Sequence, residues 1–347
     1  MIVPVFSKGR ALKVPKAAVA PRLGVRTVLT NSPWDFVSLW LRREQRSEAY
    51  FFWNQAKEFA EASASLATRS SPLLHYYSFM NAAKALLSSK GIAFEAMHGV
   101  RAHNMRTKAS AIDLSNEGIQ ILSQGILPAV SKYFDEKEIS NRHSLDELLF
   151  NIPCVHRTFC LTYEGQEDLF LPLTDCEYCF DDSTGEAHFA AKLSVDFAAQ
   201  RFKDRLPQSL VVDLQKGDDR SIRSTASVKL SSAELLPEET DTFLAFHREL
   251  RKDLNYINGP QTLWYAKARV DGFKRLDRSP LTISLGAMHR LSELCRYKPL
   301  ELDSFLAGDK NWLLNEFVKM TPSQFIDEIS AEITGYQFMT PNVRAAT

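Results

Sequence analysis

The sequence predicts an α+β fold that is mostly helical, with a central antiparallel β segment inserted between N- and C-terminal helical parts. Four Ser/Thr-Pro pairs each precede an apolar run of helical spacing. Between about 150 and 232, short apolar runs alternate with turn-forming clusters, too closely spaced for crossover helices. With 347 residues, 45% of them hydrophobic, the chain can bury the core of one large or two ordinary domains.

Residues 1–30 form a basic N-terminal extension by composition. No acidic residue precedes Asp35, and a short strand is predicted at 25–29. The extension carries six cations, which are Lys8, Arg10, Lys13, Lys16, Arg22 and Arg26. We expect a solvated terminal segment, and the alternative is an arm that binds nucleic-acid phosphates or an acidic partner.

Residues 31–150 form a predicted N-terminal helical region. Ser32-Pro33 and Ser71-Pro72 each place a hydroxyl N-cap before a proline that needs no N–H at the first helical position. A further amphipathic helix is predicted from Tyr50 to Ala67. These helices are expected to supply much of the core.

Residues 151–232 form the predicted antiparallel β region, and residues 233–347 form a C-terminal helical region that packs on the N-terminal helices. The predicted strands are 158–163, 169–173, 177–180, 187–193, 210–214 and 221–230. A helix from about 240 to 258 follows, stopped by Gly259-Pro260. Ser279-Pro280 and Thr321-Pro322 begin two more, and Gln324 completes a capping box with Thr321.

The helix after Pro72 carries a polar stripe on a mostly apolar background. Tyr77, Asn81 and Lys84 are neighbours at i, i+4 and i+7, so together they could hold a phosphate or carboxylate. The favoured interpretation is structural, with Lys84 reaching solvent along its stem. Ser292 and Arg296 share a face one turn apart and form a second candidate anion site. Arg296 more simply complements the carboxyl end of its helix.

Two further constellations could carry chemistry. Arg69 and His75 form Arg-x₅-His, the spacing of HEPN ribonucleases, which cleave RNA by acid–base chemistry without a metal. His75 shares its helix direction with apolar residues, which favours a packed, neutral histidine. Four cysteines at 154, 160, 176 and 179 could hold zinc, but two of them would point to opposite faces of a strand. We expect no metal and no cofactor.

Two separated segments resemble the YaaC-like family of bacterial proteins. One is Pro-Leu-Leu-x-Tyr-Tyr-Ser-x-x-Asn-x-x-Lys-Ala-Leu-Leu at 72–87, and the other is Leu-Ser-x-x-x-Arg-Tyr-x-Pro at 291–299. Trp34 and the His98-Gly99-Val100 step also fit the family. The resemblance implies a largely helical intracellular bacterial protein, sometimes found in phage-defence gene neighbourhoods, with no agreed reaction and no established catalytic residues.

The function expected from the sequence is therefore that of a non-catalytic or accessory component of a bacterial system, such as anti-phage defence, that binds protein or nucleic acid. The alternative is a HEPN-like ribonuclease or toxin that uses Arg69 and His75. Lys+Arg and Asp+Glu both number 42, so bulk charge does not favour nucleic acid. Five cysteines without a secretory signal, and no apolar run of about 18 residues, predict a cytoplasmic protein away from membranes. A protein partner encoded nearby is expected, and the chain could form a homo-oligomer.

Overall fold

The computed structural model describes residues 1–106, 113–271 and 273–339. The fold is mixed α+β, with 45% helix and 19% strand. The described residues form eleven α-helices: α1 Pro33–Arg43, α2 Ser47–Ser63, α3 Ser71–Ser89, α4 Ile126–Tyr133, α5 Leu145–Phe150, α6 Pro153–Thr162, α7 Gln200–Lys203, α8 Thr240–Arg251, α9 Pro280–Tyr297, α10 Pro299–Ala307 and α11 Asn311–Thr334. No helix in the described part of the chain is long and apolar enough to cross a membrane.

Short strands accompany these helices. The described residues form fifteen: β1 Ile2–Pro4, β2 Phe6–Ser7, β3 Arg10–Ala11, β4 Val28–Leu29, β5 Val100–Asn104, β6 Glu117–Ile121, β7 Arg142–Ser144, β8 Phe170–Asp181, β9 Glu186–Leu193, β10 Leu210–Val212, β11 Ser221–Ser224, β12 Val228–Lys229, β13 Leu254–Ile257, β14 Leu263–Lys267 and β15 Phe338–Met339.

The chain divides into two compact units, neither of which is continuous in sequence. Unit 1 comprises residues 1–31, 168–270 and the described residues from 334 onward. Unit 2 comprises residues 32–167 and 271–333. The last eight residues of the predicted C-terminal helical region lie outside the described residues.

Unit 1 is built on a curled antiparallel sheet of eight strands, in the order β10-β11-β9-β8-β14-β13, with β1 on β8 and β12 on β9. The sheet therefore recruits strands from outside the predicted β region. Leu254–Ile257, predicted as the end of a helix, is instead strand β13, because Gly259-Pro260 forms its connection to β14. A β-bulge interrupts the pairing of β8 with β9 between Thr174 and Glu177.

The first 31 residues are part of unit 1 and do not form a solvated extension. Strand β1 pairs with β8, and β4 pairs in parallel with β15. Lys16 is buried, and its Nζ donates to Asn258 Oδ1 at 2.9 Å and to the Phe338 carbonyl at 2.7 Å. A buried ammonium is tolerated only when such partners replace its water, so Lys16 is a structural cation.

Helices α3 and α9 lie at the centre of unit 2, and most of their residues are buried. The ring of Phe79 on α3 stacks on Phe325 of α11 at 3.9 Å. The predicted helix starts at residues 33 and 280 are confirmed. The Ser32 hydroxyl accepts from the Asp35 amide at 3.3 Å, and that of Ser279 accepts from the Thr282 amide at 3.1 Å. Sheet β5-β6-β7, which the sequence pattern did not indicate, also lies in this unit.

Two elements predicted in this unit are wrong. Thr321-Pro322 does not begin a helix, because Pro322 lies inside α11, which starts at Asn311. The segment predicted as a strand at 158–163 belongs to helix α6, which begins with Pro153 in its first turn. In both places, burial of a helix face in the tertiary structure outweighs the local sequence signal, which was a Thr-Pro helix start in one case and a strand-like apolar run in the other.

Candidate functional site

A cluster of titratable side chains lies in unit 2 where α3 and α9 meet the start of β5. We call it the imidazole cluster, and it consists of Tyr76, His98, His289, Arg290 and Glu293. Tyr76 comes from α3, His98 from the loop before β5, and the other three from consecutive turns of α9. Tyr76, His289 and Arg290 are buried, whereas His98 is half-buried. The cluster therefore extends from the core of the unit towards solvent.

Tyr76 and His98 are joined by a short hydrogen bond. The Tyr76 hydroxyl lies 2.6 Å from His98 Nδ1. The ring of His289 packs edge-on against Tyr76 with centroids 4.9 Å apart, and its centroid lies 5.8 Å from that of His98. Among the described residues no hydrogen bond reaches His98 Nε2. One nitrogen of the imidazole is therefore fixed, and the other is free to react.

The surroundings keep both imidazoles neutral. Burial lowers the pKa of His289 to about 3. Burial also lowers the pKa of His98, helped by the positive charges of Arg296 and Lys84. Burial raises the pKa of Tyr76, so its hydroxyl stays protonated. At neutral pH the cluster therefore offers a neutral imidazole, which can accept a proton, held by a protonated phenol.

Negative charge comes from Glu293, within the imidazole cluster, and from Glu117, which pairs with Arg290. Glu293 Oε2 lies 3.4 Å from Arg290 Nη1 and 3.7 Å from His289 Nδ1. Arg290 Nη2 also bonds Glu117, which is fully buried and pairs in addition with Arg106. In the described part of the chain, His289 Nδ1 and Arg290 Nε have no hydrogen-bond partner although both are buried. Buried polar atoms without a partner are uncommon in folded proteins, and each one calls for an explanation.

The three residues of the polar stripe predicted on α3 have different surroundings. Tyr77 and Asn81 contact neighbouring groups of the helical unit, and the charge of Lys84 affects His98. Tyr77 stacks on Phe59 at 5.3 Å, and Asn81 Nδ2 donates to the Tyr77 carbonyl at 2.9 Å. Asn81 Oδ1 is buried without a partner among the described residues. Lys84 lies over the ring of Phe52 at 5.2 Å, and burial lowers its pKa. Of the three, Lys84 carries the charge that lowers the pKa of His98.

The two residues of the anion site predicted on α9, Ser292 and Arg296, also have different roles. The buried Ser292 hydroxyl donates to the His289 carbonyl at 2.7 Å, a bond within the helix. Arg296 is exposed, with its guanidinium 4.5 Å from the Tyr297 ring centroid. Its charge adds to the lowering of the pKa of His98 and His289 by burial, and it partly opposes the rise that burial causes in the pKa of Tyr76. Arg296 and Lys84 are therefore two cations whose charges lower the pKa of the half-buried imidazole.

Arg69 and His75 are engaged with separate partners. Arg69 Nη1 lies 3.4 Å from Asp303, and both side chains are largely exposed. His75 Nδ1 lies 3.1 Å from the Ser63 hydroxyl, and burial lowers the pKa of His75 to about 4. Within the described residues no hydrogen bond or ion pair joins Arg69 to His75.

The cysteines considered for zinc are distributed over both units. Cys154 and Cys160 lie on α6 in unit 2, and Cys176 and Cys179 lie on β8 in unit 1. Burial raises the pKa of Cys154 to about 12 and that of Cys179 to about 11, so both thiols are protonated at neutral pH. A protonated thiol is a poor metal ligand and a poor nucleophile.

Tyr76, His98 and His289 were missed as site residues. Tyr76 adjoins the polar stripe but points to the other side of α3, and a helical wheel cannot show which loop covers that side. The sequence feature that could have indicated this site is the adjacent pair His289-Arg290 within a mostly apolar helix. Two polar side chains in a buried stretch need partners, and those partners come from segments distant in sequence.

One comparison with known proteins gave a match. A family profile described as YaaC-like Protein matches residues 25–333, which include every residue of the imidazole cluster. No curated protein matches the chain, and no solved structure matches it.

Proposed function

The chain belongs to the YaaC-like family, for which no activity is established, and we propose that unit 2 is a ribonuclease whose general base is His98. The observation that carries the proposal is the 2.6 Å contact between the Tyr76 hydroxyl and His98 Nδ1. The charges of Arg296 and Lys84, which lower the pKa of His98, support it. A neutral imidazole, held at one nitrogen and unpartnered at the other, suits proton abstraction near neutral pH.

Lys84 and Arg296 favour an anionic substrate. A phosphate bound between them would lie next to His98, where the fixed charges also stabilise the negative charge that develops on phosphorus. Arg296 can bind two phosphate oxygens at once, and Lys84 acts as a point charge. The same two cations disfavour a divalent metal ion beside the imidazole.

RNA fits this donor set better than DNA does. In RNA the nucleophile is the adjacent 2′-hydroxyl, so one positioned base and a pair of cations suffice. His98 Nε2 takes the 2′-hydroxyl proton as the 2′-oxygen bonds to phosphorus. The bond from phosphorus to the 5′-oxygen breaks, and the imidazolium returns the proton to that oxygen. The products are a 2′,3′-cyclic phosphate and a free 5′-hydroxyl.

Tyr76 is a positioning residue in this scheme. Its oxygen accepts the hydrogen bond from His98 Nδ1–H, which leaves the lone pair on Nε2. The buried ring of His289 packs against Tyr76 and fixes its direction. The buried Arg290–Glu117 pair in turn anchors α9 to the start of β6.

The proposal is tested with the purified full-length chain and single-stranded RNA in buffer containing EDTA. We expect cleavage to 2′,3′-cyclic ends, and His98→Ala should lower the rate by about 10²–10⁴-fold. Tyr76→Phe removes the hydroxyl but keeps the ring, so it should lower kcat and shift its pH profile with little change in KM. A matched DNA strand should remain intact.

His75→Ala is the control, because it removes a half-buried histidine from the same helix as Tyr76. If His75→Ala and Arg69→Ala abolish cleavage while His98→Ala keeps it, the HEPN-like assignment to Arg69 and His75 is correct and ours is wrong. If the wild type cleaves nothing but binds RNA through Lys84 and Arg296, the accessory role expected from the sequence replaces the enzyme.

A cytoplasmic location, a protein partner encoded nearby and a role in anti-phage defence remain proposals. They are supported by the sequence resemblance to the family. Co-purification of the chain with the product of a neighbouring gene would support the partner. Cleavage of RNA by the isolated chain would make that partner a regulator rather than a requirement.

A further inference from the structure

A groove of about 820 Å³ runs along unit 1. Its walls are the segments 10–15 and 22–27, the bulged part of β8 and the strand β14 with the turn before it. We call it the basic groove. All of its lining residues belong to unit 1, so it is a separate feature from the imidazole cluster.

Four cations line the basic groove, against one acid. They are Arg10, Lys13, Arg22 and Arg26, and the acid is Asp175. Arg10, Lys13 and Arg26 are exposed, and none of the three forms an ion pair with a residue in the described ranges. Like charges held together in a concave surface raise the local positive potential, which attracts an anionic ligand.

A smaller cavity of about 300 Å³ continues the groove past Lys13 and adds two cations, Lys192 and Lys216, and one acid, Glu177. Lys192 Nζ lies 3.3 Å from Asp218 and 3.9 Å from Asp175. The only acid of the larger groove is therefore already close to a lysine. The charges of Arg10, Lys13 and Arg26 are left for a ligand.

The rest of the lining is of mixed polarity. Gln261, Thr262 and Gln337 contribute amide and hydroxyl groups, and Leu263 and Met339 contribute an apolar wall. Leu263 is 44% exposed, a large fraction for a leucine, so its side chain is available to a ligand. Cations for phosphates, amides for base edges and an apolar surface for sugars or bases are the three elements of a nucleic-acid groove.

We propose that the basic groove binds single-stranded nucleic acid, with its phosphates on Arg10, Lys13 and Arg26. A single strand can contact both the cations and the amide-lined wall with its backbone and its unpaired bases, whereas the bases of a duplex are already paired and stacked. An acidic peptide would satisfy the cations but would leave the amide-lined wall without base edges to bind. This proposal is independent of the activity proposed for unit 2.

The test measures binding of a fluorescent single-stranded DNA of about 12 nucleotides, a length within the range that such grooves cover. DNA lacks the 2′-hydroxyl, so the chemistry proposed for unit 2 cannot destroy the probe. The variant Arg10→Gln/Lys13→Gln/Arg26→Gln should bind at least 10-fold more weakly. The slope of log K against log salt should become shallower by about 2, because each phosphate contact on a single strand contributes about 0.7.

Lys8→Gln/Arg201→Gln/Lys229→Gln is the matched control. It removes the same charge from exposed cations of unit 1 that do not line the groove. The control should bind like the wild type, and Arg10→Lys/Arg26→Lys should retain binding because the charge is kept. Circular dichroism and thermal melting confirm that each variant is folded.

Three results would overturn the proposal. The first is an equal loss of affinity in the control and the groove variant, which would indicate binding by overall charge. The second is tighter binding of the matching duplex. The third is displacement of the probe by polyglutamate at an equal concentration of charge, which would identify an acidic protein as the ligand. Each of them can occur whether or not unit 2 cleaves RNA.

Discussion

Each unit contains a tyrosine–histidine pair with the same 2.6 Å contact, and the two pairs differ in what the second ring nitrogen does. In unit 1 the Tyr178 hydroxyl lies 2.6 Å from His247 Nδ1, and His247 Nε2 lies 2.9 Å from the Ala17 carbonyl. Both nitrogens are satisfied in the core, which is a structural arrangement. In the pair formed by Tyr76 and His98, one nitrogen is left for a ligand.

Removing the Tyr178 hydroxyl should therefore destabilise unit 1. In Tyr178→Phe the Nδ1 acceptor of His247 remains buried without a donor, so we expect the free energy of unfolding to fall by about 1–3 kcal/mol. Urea titration measures the change. Tyr265→Phe is the control, because the half-buried Tyr265 forms no hydrogen bond with a described residue through its hydroxyl. An equal loss in both variants would contradict the role assigned to the Tyr178 bond.

The candidate site could be predicted only in part. Lys84 was predicted as the cation of a polar stripe and Arg296 as the cation of a second anion site, and the charges of both lower the pKa of His98. Tyr76 and His289 were missed because their partners lie on other elements. A periodic pattern shows which residues share a face of one helix, but it does not show which segment covers that face.

At the scale of elements, helix starts were predictable where a hydroxyl cap truly bonds the first turn. Ser32 and Ser279 do so. Thr321-Pro322 has the same pattern of a hydroxyl residue before proline, but Thr321 is buried in the middle of α11 and contacts Cys154 across the core. Since Pro lacks an N–H and clashes with the preceding turn, a proline inside a helix costs about 3 kcal/mol relative to alanine. Burial of the apolar face on both sides of Pro322 offsets that cost.

The sheet of unit 2 depends on a residue without a side chain. A Cβ on Gly118 of β6 would lie 2.5 Å from the His143 carbonyl of β7, and that backbone atom cannot rotate away. Gly118→Ala should force the strands apart and lower the free energy of unfolding by about 1–3 kcal/mol, as overpacking does. It should also move the neighbouring Glu117, which pairs with Arg290.

Gly308→Ala is the control for this prediction. Gly308 lies in the same unit, is exposed and has its nearest neighbour 3.4 Å from an added Cβ. Its free energy of unfolding should change by less than about 0.5 kcal/mol. A Gly118→Ala variant as stable as Gly308→Ala would show that β6 and β7 are not held at this distance.

At the scale of the whole molecule, the main difference from the predicted organisation is the way in which each unit is assembled. A composition shift along the chain indicated a β segment near 151–232, of which strands β8 to β12 lie in the sheet of unit 1 and Pro153–Thr162 is helix α6 of unit 2. That sheet also includes β1, β13 and β14, and β15 pairs with β4 in the same unit. Linear patterns do not reveal pairings such as Trp264 with Leu173, Ile2 with Asp181 and Phe338 with Val28, because the partners are far apart in the sequence.

Buried histidines in both units should make the stability of the molecule depend on pH. Burial lowers the pKa of six of them, which are His75, His98, His143, His188, His247 and His289. The unfolded chain titrates these groups near pH 6.5. Below that pH the unfolded state binds more protons than the folded state, so the free energy of unfolding falls as the pH drops towards about 4.

Comparing urea midpoints at pH 7.5 and pH 5 isolates this effect. Carboxylates with a lowered pKa, such as those of Asp35 and Asp218, remain charged in the folded and largely in the unfolded state at pH 5. Asp146 and Glu293 oppose the trend, because burial raises the pKa of both. Six histidines against two acids should make the chain less stable at pH 5. An equal or higher midpoint at pH 5 would mean that these histidines are solvated, and the neutral imidazole on which the proposed catalysis depends would be lost with them.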